Sequence, residues 1–310
     1  MTQTLNIFSI FDDLITRPLG FLLNLIYGYT GSYGLALIAF TLLLKIVLFP
    51  VAMKTQKSSN DMARLQPKIA ELQRKYKDDK QKQSQELQYL YEDEGVSPTG
   101  GCLPNLLQIP ILICLYSVIN RPLSFMLGLA SEKIVEIGQF LNFDVVEKTL
   151  RQFEIPIADA IRANYETVSA MFGKIETIDF SFLGLNLAAT PSIKSPGIVW
   201  LIPVLSALTS LIAGYITNKK ATPQLQDGAN QAAAVGNAML IYMPIISLWL
   251  GFTLPAGVGF YWMLSNIFSM LQQQLVLKFV PPPTAPEKGE KKPKKTEKAE
   301  ETTPERGKHD

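Results

Sequence analysis

The sequence is poor in charged residues, histidine and cysteine. Of its 310 residues 18% are charged and 47% hydrophobic, whereas about a quarter of a soluble domain is charged. The only histidine is His309, and the only cysteines are Cys102 and Cys114. These two cysteines lie twelve residues apart in one apolar run, too far to bridge within a straight helix, so we expect them to be reduced packing residues. The shortages exclude an ordinary cytosolic enzyme, a disulfide-stabilised secreted domain and a disordered chain.

Motifs that bind nucleotides or metals, or that carry a nucleophile, are absent as well. No GxGxxG, GxxxxGK[ST], HExxH or GxSxG pattern occurs. We therefore predict no cofactor, no metal site and no catalytic residue. The N-terminus has no basic region followed by a small-residue cleavage site, so no cleavable signal peptide is expected.

Long runs without charge indicate several membrane spans. The residues between Arg17 and Lys45 are uncharged, as are those between Lys194 and Lys219 and those between Asp227 and Lys278. A transmembrane helix needs about 20 apolar residues, so the last run is too long for one crossing and must break, most simply at Pro255. The predicted spans are residues 31–53, 102–120, 197–217, 238–254 and 256–277.

The charged segments predict which side of the membrane each connection faces. Basic residues concentrate in residues 54–101, 218–237 and 278–310, which lie on one face if there are five spans and are then cytoplasmic. Residues 1–30 and 121–196 fall outside. This predicts a multi-pass protein of the bacterial cell (plasma) membrane with an outside N-terminus and a cytoplasmic C-terminus.

The N-terminal segment is apolar but not cleanly spanning. Its apolar part runs from Ile10 to Tyr29 and contains two aspartates, Arg17 and Pro18. We interpret it as an interfacial helix that lies along the membrane surface. A sixth span that starts at Pro18 is the alternative.

Residues 54–101 are polar but patterned for helix pairing. Apolar residues recur at spacings of three and four, as in a coiled-coil seam. Those of the first stripe are Met62, Leu65, Ile69, Leu72 and Tyr76, and those of the answering stripe are Leu87, Leu90 and Tyr91. The segment therefore predicts an antiparallel helical hairpin that serves as a docking surface, although a plain connector is the alternative.

Two residues bear on the geometry of this hairpin. Asp79 follows a turn and can cap the second helix. Pro67 lies within the first stripe, where we expect the first helix either to kink or to begin.

Lys45 is a charge inside an apolar span. It lies about eight residues from the end of that span, deeper than a lysine side chain can reach to the interface. No acidic residue in the five spans can pair with it. We therefore predict a hydrophilic groove within the membrane, suited to a neutral or negatively charged occupant, since a proton relay or cation transporter would need an intramembrane acid or histidine.

Polar residues on neighbouring spans support such a groove. Each of them can alternatively act as hydrogen-bonding glue between membrane helices. The predicted groove residues are Lys45, Thr41, Gln108, Asn105, Tyr116, Tyr261, Trp262 and Ser265, with Ser269, Asn266 and Gln272 or Gln273 along the last span and Ser206, Thr209 and Ser210 on the third.

Three blocks of sequence resemble the YidC-type membrane protein insertases (the YidC/Oxa/Alb family), in the family's order and spacing. The first block is Phe40-Thr-Leu-Leu-Leu-Lys45, then Pro50, Gln56-Lys57-Ser58 and Leu65-Gln-Pro-Lys68. The second is Gly100-Gly-Cys-Leu-Pro-Asn-Leu-Leu-Gln-Ile-Pro110, followed by Leu115-Tyr116. The third is Pro255-Ala-Gly-Val-Gly-Phe-Tyr-Trp262, followed by Ser265-Asn266 and Gln272-Gln-Gln-Leu275.

The resemblance implies an all-α membrane protein of five transmembrane helices around a hydrophilic groove, with a cytoplasmic hairpin. It implies an insertase that takes nascent membrane proteins into the groove and releases their apolar segments into the bilayer, alone or with the Sec translocon. By motif, Lys45 is the groove charge, Thr41 and Trp262 line the groove, and Gln108 does so less clearly. The five-span layout without a large periplasmic domain resembles the five-span bacterial form. We expect no N-terminal lipid-anchored cysteine.

Two parts of the chain depart from the family or lie outside the match. The family generally has arginine where this chain has Lys45, which keeps the charge but loses the guanidinium fork. Residues 121–196 match nothing specific, and we expect an extracytoplasmic cap rich in short helices.

The lysine-rich tail, residues 278–310, is predicted to be disordered from Pro281 onward. Residues 288–298, with six lysines and two glutamates, form a patch for contact with ribosomal RNA or anionic lipid. Ordinary solvation of the tail is the alternative. The ribosome and the signal recognition particle pathway are accordingly possible partners through the hairpin and the tail, beside nascent clients and membrane lipids.

Two other functions remain open at this point. A secondary transporter of a small anionic solute would use Lys45 as a counter-charge, although the spans show no inverted repeat. A scaffold that only assembles membrane complexes would keep its function when Lys45 is neutralised.

Overall fold

The computed structural model describes residues 12–97, 103–194, 196–221 and 230–283, without the side chains of residues 13, 103–109, 112, 217–221 and 230–241. These ranges are mostly helical. After a π-helical turn, Asp12–Thr16, the helices are α1 Arg17–Thr30, α2 Tyr33–Val47, α3 Phe49–Lys75, α4 Lys80–Asp93, α5 Leu103–Asn120, α6 Pro122–Phe125, α7 Ser131–Phe140, α8 Leu150–Ala163, α9 Tyr165–Phe172, α10 Leu201–Ala221, α11 Asn230–Thr253 and α12 Ala256–Phe279. Residues from 284 onward lie outside the described part, and the prediction of a disordered tail concerns mainly these residues. Cys102 also lies outside it.

The first apolar run is not one straight helix. α2 ends at Val47, and α3 begins at Phe49 with its axis bent by 53°. Pro50 explains the break, because it has no N–H to donate and its ring clashes with the carbonyl four residues earlier. The bend at Leu48 falls within the predicted first span, residues 31–53. α3 begins at Phe49 and contains Pro67 in its interior, so this helix does not begin at Pro67.

The last charge-free run breaks where the sequence predicts. α11 ends at Thr253 and α12 begins at Ala256, with Pro255 in the N-cap position. The first amides of α12 find acceptors outside the helix, since Ala256 N donates to Ala189 O (2.8 Å) and Gly257 N to Leu187 O (2.6 Å). These two bonds fix the start of α12 against the segment that precedes α10.

Residues 121–196 form a packed unit of short helices, α6 to α9, and one β-hairpin that the sequence analysis did not predict. Strands Ser181–Phe182 (β1) and Leu185–Asn186 (β2) pair antiparallel. The turn between them has φ 50° at Leu183 and φ 78° at Gly184, as a two-residue hairpin turn with right-handed strand twist requires. A hydrophobic core joins this unit to α1, α2, α5 and the start of α12; among its buried side chains are Leu23, Tyr33, Val118, Ile134 and Phe180.

Apolar faces remain uncovered on α10 and α11. Large side chains that are more than a third exposed include Leu201, Val204, Leu208, Leu211, Tyr215, Tyr242, Ile245 and Trp249. Apolar surface of this extent is unusual on a soluble monomer and fits contact with lipid.

One helical stretch among the described residues, Ile198–Ile216, is long and apolar enough to cross a membrane. The bent pair of α2 and α3 adds a second if it counts as one span, and Tyr242–Thr253 is a shorter apolar helix.

α3 and α4, which contain most of the polar residues 54–101, pack against each other. Leu65 and Ile69 of the predicted stripe are buried, and Lys68 forms an ion pair with Glu94. Asp79 caps α4 as predicted, since its Oδ1 accepts a hydrogen bond from Lys82 N (3.0 Å).

Close packing of α1 on α6 gives a first test of the fold. A Cβ at Gly20 would lie 2.3 Å from the Phe125 carbonyl oxygen, whereas a Cβ at Gly28 of the same helix would meet nothing within 4 Å. We expect Gly20→Ala to lower the free energy of unfolding by about 1–3 kcal/mol. The control Gly28→Ala should be neutral or raise it by up to about 1 kcal/mol. Unfolding midpoints followed by circular dichroism in detergent would show the difference; equal midpoints for the two variants would contradict the α1–α6 packing.

Candidate functional site

A cavity of about 350 Å³ lies where the end of α2, the start of α3 and the middle of α12 meet, with Ile111 of α5 on one side. The bend at Leu48 creates this space, because it turns α3 away from the line of α2. Its lining is a mixture of apolar and uncharged polar side chains around one ammonium group. The lining residues are Lys45, Leu48, Val51, Ala52, Thr55, Gln56, Ile111, Trp262, Ser265, Asn266, Ser269, Gln272 and Gln273.

Lys45 is the charged group of this cavity. Its Nζ donates a hydrogen bond to Ser269 Oγ (2.8 Å), and its backbone carbonyl accepts one from Gln272 Nε2 (2.9 Å). Both bonds hold the last turn of α2 on α12. Because α2 ends at Val47, Lys45 lies in the final turn of its helix and not eight residues from a helix end.

The electrostatics of the cavity follow from what surrounds that ammonium group. The described lining residues include no carboxylate, and Lys45 forms none of the ion pairs found among the described residues. Hydroxyl and amide groups can solvate the charge but cannot neutralise it. The cavity can therefore attract carboxylates and donate hydrogen bonds to carbonyl groups.

A ladder of amide side chains joins α3 to α12 beside the cavity. Gln273 Nε2 donates to Gln56 Oε1 (2.7 Å), and Gln56 Nε2 donates to Asn60 Oδ1 (2.8 Å). Asn60 Nδ2 in turn donates to Pro281 O (2.8 Å). These three hydrogen bonds couple the position of α3 to that of α12 beside the cavity.

A second, apolar cavity of about 180 Å³ adjoins the first across Trp262, whose side chain lines both. Trp262 Nε1 donates to Ser210 Oγ (3.3 Å), which also accepts from Asn266 Nδ2 (2.8 Å). Ser210 and Ser247 share a further hydrogen bond of 2.7 Å. This network fixes the indole between the two cavities and joins α10, α11 and α12.

The structure brings together only part of the predicted groove. Lys45, Trp262 and Ser265 line the first cavity, and Tyr116 lines the second. Thr41 and Tyr261 line neither of them and are buried. The side chains of Asn105 and Gln108 lie outside the described part of the chain.

Thr41 is absent from the lining for a physical reason. Its hydroxyl donates to Leu37 O of its own helix (2.6 Å), which satisfies the group without any need of water. Conversely, the sequence analysis did not predict Thr55 and Gln56, which it placed in the polar hairpin. The available signal was the position of Gln56 in the first of the three blocks quoted for the resemblance.

Among the described residues, no three or more His, Cys, Asp or Glu side chains are grouped to hold a metal ion. What the site can do is bind a polar or anionic segment beside apolar helix surfaces.

Comparisons with known proteins give the family of the sequence. The family model described as 60Kd inner membrane protein matches residues 25–283. Curated relatives named membrane protein insertase YidC include those of Rickettsia prowazekii (strain Madrid E), 28% identical, and Rickettsia rickettsii (strain Sheila Smith), 29% identical, each over 266 residues. Both alignments cover 86% of this chain and 39% of the relative, so the chain spans about two fifths of the length of the relatives.

Proposed function

This chain belongs to the 60Kd inner membrane protein family, and on that basis we propose that it inserts nascent membrane proteins into the bacterial plasma membrane. One observation carries the proposal for this chain itself. Lys45 presents its ammonium group in a cavity of uncharged polar side chains that holds no described carboxylate. Such a site receives a polar, acidic or carbonyl-rich segment and gives no pathway for a cation.

The proposed mechanism separates the polar and apolar parts of a client. A polar N-terminal region or short loop enters the cavity, where Lys45 attracts its carboxylates and the amides of Gln272 and Gln273 bind its backbone. The apolar segment that follows slides into the bilayer beside α10 and α12. Its transfer into hydrocarbon supplies the driving force, so the protein makes and breaks no covalent bond and acts as a chaperone, not as an enzyme.

The proposed arrangement has five spans around the cavity, built on α2, α5, α10, α11 and α12. The exposed apolar faces of α10 and α11 support contact of these helices with lipid. The Lys and Arg content of residues 54–101 and 278–310 supports a cytoplasmic position for α3, α4 and the tail, with residues 121–196 outside.

α1 is proposed to lie along the outer membrane surface. Its exposed Phe21, Leu25 and Tyr29, with Leu14 just before it, supply an apolar side that suits an interface. The Sec translocon, the ribosome and the signal recognition particle pathway are proposed partners, since the described chain ends beside α3, where Asn60 Nδ2 donates to Pro281 O.

The test is insertion into liposomes that contain only this protein. The client is a small single-span protein with a short acidic N-terminal region, and protection from added protease scores the translocated end. We expect protection well above that in empty liposomes. Insertion no better than in empty liposomes would refute an insertase that works alone.

Uptake of small anionic solutes by the same liposomes tests the alternative function, a secondary transporter. The matched family gives no support to the transporter alternative. Saturable solute uptake without client insertion would nevertheless decide in its favour.

A further inference from the structure

A cleft of about 650 Å³ lies between α3 and α4, at the opposite end of α3 from Lys45. Its apolar part is formed by Leu72, Tyr89 and Leu90, and the Tyr89 side chain is 66% exposed. The cleft is open to solvent along its length and is separate from both cavities beside Trp262. It can accept a segment of extended chain.

Acidic groups dominate the rim of the cleft. Glu71, Glu86, Glu92 and Asp93 line it, against Lys68 and Lys75. Lys68 is already paired with Glu94, which lies at the end of α4. Glu71, Glu86 and Asp93 form no ion pair with any described residue.

The α4 side of the cleft carries acidic residues without basic ones. No basic residue occurs from Gln83 to Ser97, a stretch that carries Glu86, Glu92, Asp93 and Glu94. Carboxylates without an ion-pair partner, next to apolar side chains, form a site that favours lysine. The methylene chain of a lysine packs on the apolar surface while its ammonium group reaches the carboxylates.

The C-terminal end of α12 lies beside α3, and the lysine-rich segment follows it in the sequence. The end of α12 is fixed against α3, since Asn60 Nδ2 donates to Pro281 O (2.8 Å) and the rings of Phe49 and Phe279 pack edge to face at 6.2 Å. The described chain ends two residues later, at Pro283. The segment beyond it therefore starts beside the first half of α3.

Distance allows the segment to reach the cleft. From Asn60 to Glu71 the axis of α3 rises by roughly 17 Å. From residue 283 to Lys291 the chain can extend over about 26 Å. Residues 288–298 contain six lysines and two glutamates, so the basic block comes within range of the acidic rim.

We propose that the lysine-rich segment 288–298 of this same chain binds in the cleft between α3 and α4. Lysines of the segment pair with Glu71, Glu86 and Asp93, and the segment covers the exposed Tyr89. A partner that needs either the lysines or the cleft then has to displace this contact, which makes the segment a competitor built into the protein.

The test is zero-length carbodiimide cross-linking of the full chain in nanodiscs of phosphatidylcholine at low ionic strength. Peptide mass spectrometry should find amide bonds between the lysines within residues 288–298 and Glu71, Glu86 or Asp93. A mixture of isotopically labelled and unlabelled protein shows whether the two ends belong to one chain. Cross-links formed only between chains, or spread equally over Asp61 and Asp78, would overturn the proposal.

Charge reversal separates a specific contact from proximity. Glu86→Lys with Asp93→Lys should lower cross-linking of the segment to Glu71 about tenfold, as expected when exposed ion pairs turn repulsive. Adding Lys292→Glu and Lys295→Glu should restore the yield to within about twofold of the native chain, since attraction returns with opposite sign. The control Glu132→Lys with Glu136→Lys makes the same charge change on exposed positions of α7 and should leave the yield unchanged.

Lipid is the competing partner to be excluded. Nanodiscs that contain phosphatidylglycerol offer the lysines an anionic surface. A yield that stays within about twofold there supports the cleft as the binding site. Loss of the cross-links in these nanodiscs assigns the segment to the membrane surface and overturns the proposal.

Discussion

Lys45→Gln is expected to slow insertion of a client with an acidic N-terminal region by at least about tenfold. An ammonium and a carboxylate about 8 Å apart attract each other by roughly 2 kcal/mol at an effective dielectric constant of about 20. The described residues that line the cavity contain no second cation to replace Lys45. Lys45→Arg keeps the charge within reach of Ser269 and should retain insertion to within about threefold of the native rate.

The measurement is the initial rate of protease protection in liposomes that contain each variant. Lys54→Gln is the matched control, because it removes the same side chain from an exposed position of α3 outside the cavity. A second client, with amides in place of its N-terminal carboxylates, should reduce the effect of Lys45→Gln to near unity. Native, Gln and Arg proteins that insert the acidic client alike would show that Lys45 is not the working charge, as a scaffold would predict.

Glu154→Ala is expected to loosen the docking of α8 strongly. Glu154 is fully buried, and its carboxylate accepts hydrogen bonds from Arg121 Nε (3.0 Å), Ser124 Oγ (2.6 Å) and Ser124 N (2.9 Å). Removing it leaves the Arg121 guanidinium and a buried amide without their acceptor, which costs about 3–5 kcal/mol.

Hydrogen exchange provides the measurement for Glu154. A loss of about 3 kcal/mol should speed exchange of the α8 amides roughly a hundredfold when they exchange through local opening. Glu147→Ala, at an exposed position of the same segment, should leave exchange unchanged. Adding Arg121→Met to Glu154→Ala should recover part of the loss, because no uncompensated charge then remains. Exchange in Glu154→Ala at the native rate would contradict a structural role for this ion pair.

Much of the fold was predictable where the cause is local. Pro255 ends a helix because proline lacks an amide hydrogen, and Asp79 caps α4 because its carboxylate reaches an amide three residues on. The bend in the first apolar run has the same kind of local cause, since Pro50 lies where α3 turns away from α2. The sequence analysis did not predict that bend within its first span.

The candidate site was predicted in part for the same kind of reason. Lys45 stood out because a charge within an apolar run is costly wherever the chain folds. Thr41 looked equivalent by helical spacing, but spacing does not show that its hydroxyl is satisfied by Leu37 O in its own helix. Gln56 was placed in the hairpin, since nothing local indicates that it meets Gln273.

The sequence by itself determined that this is a helical membrane protein with one conspicuous charge in its apolar part, because hydropathy and the stereochemistry of proline act over a few residues. Only the tertiary structure decided what surrounds that charge. Lys45 and Ser269 are 224 residues apart in the chain, and Gln56 and Gln273 are 217 apart. Such contacts depend on how α2, α3 and α12 pack, and side-chain packing is a property of several helices at once.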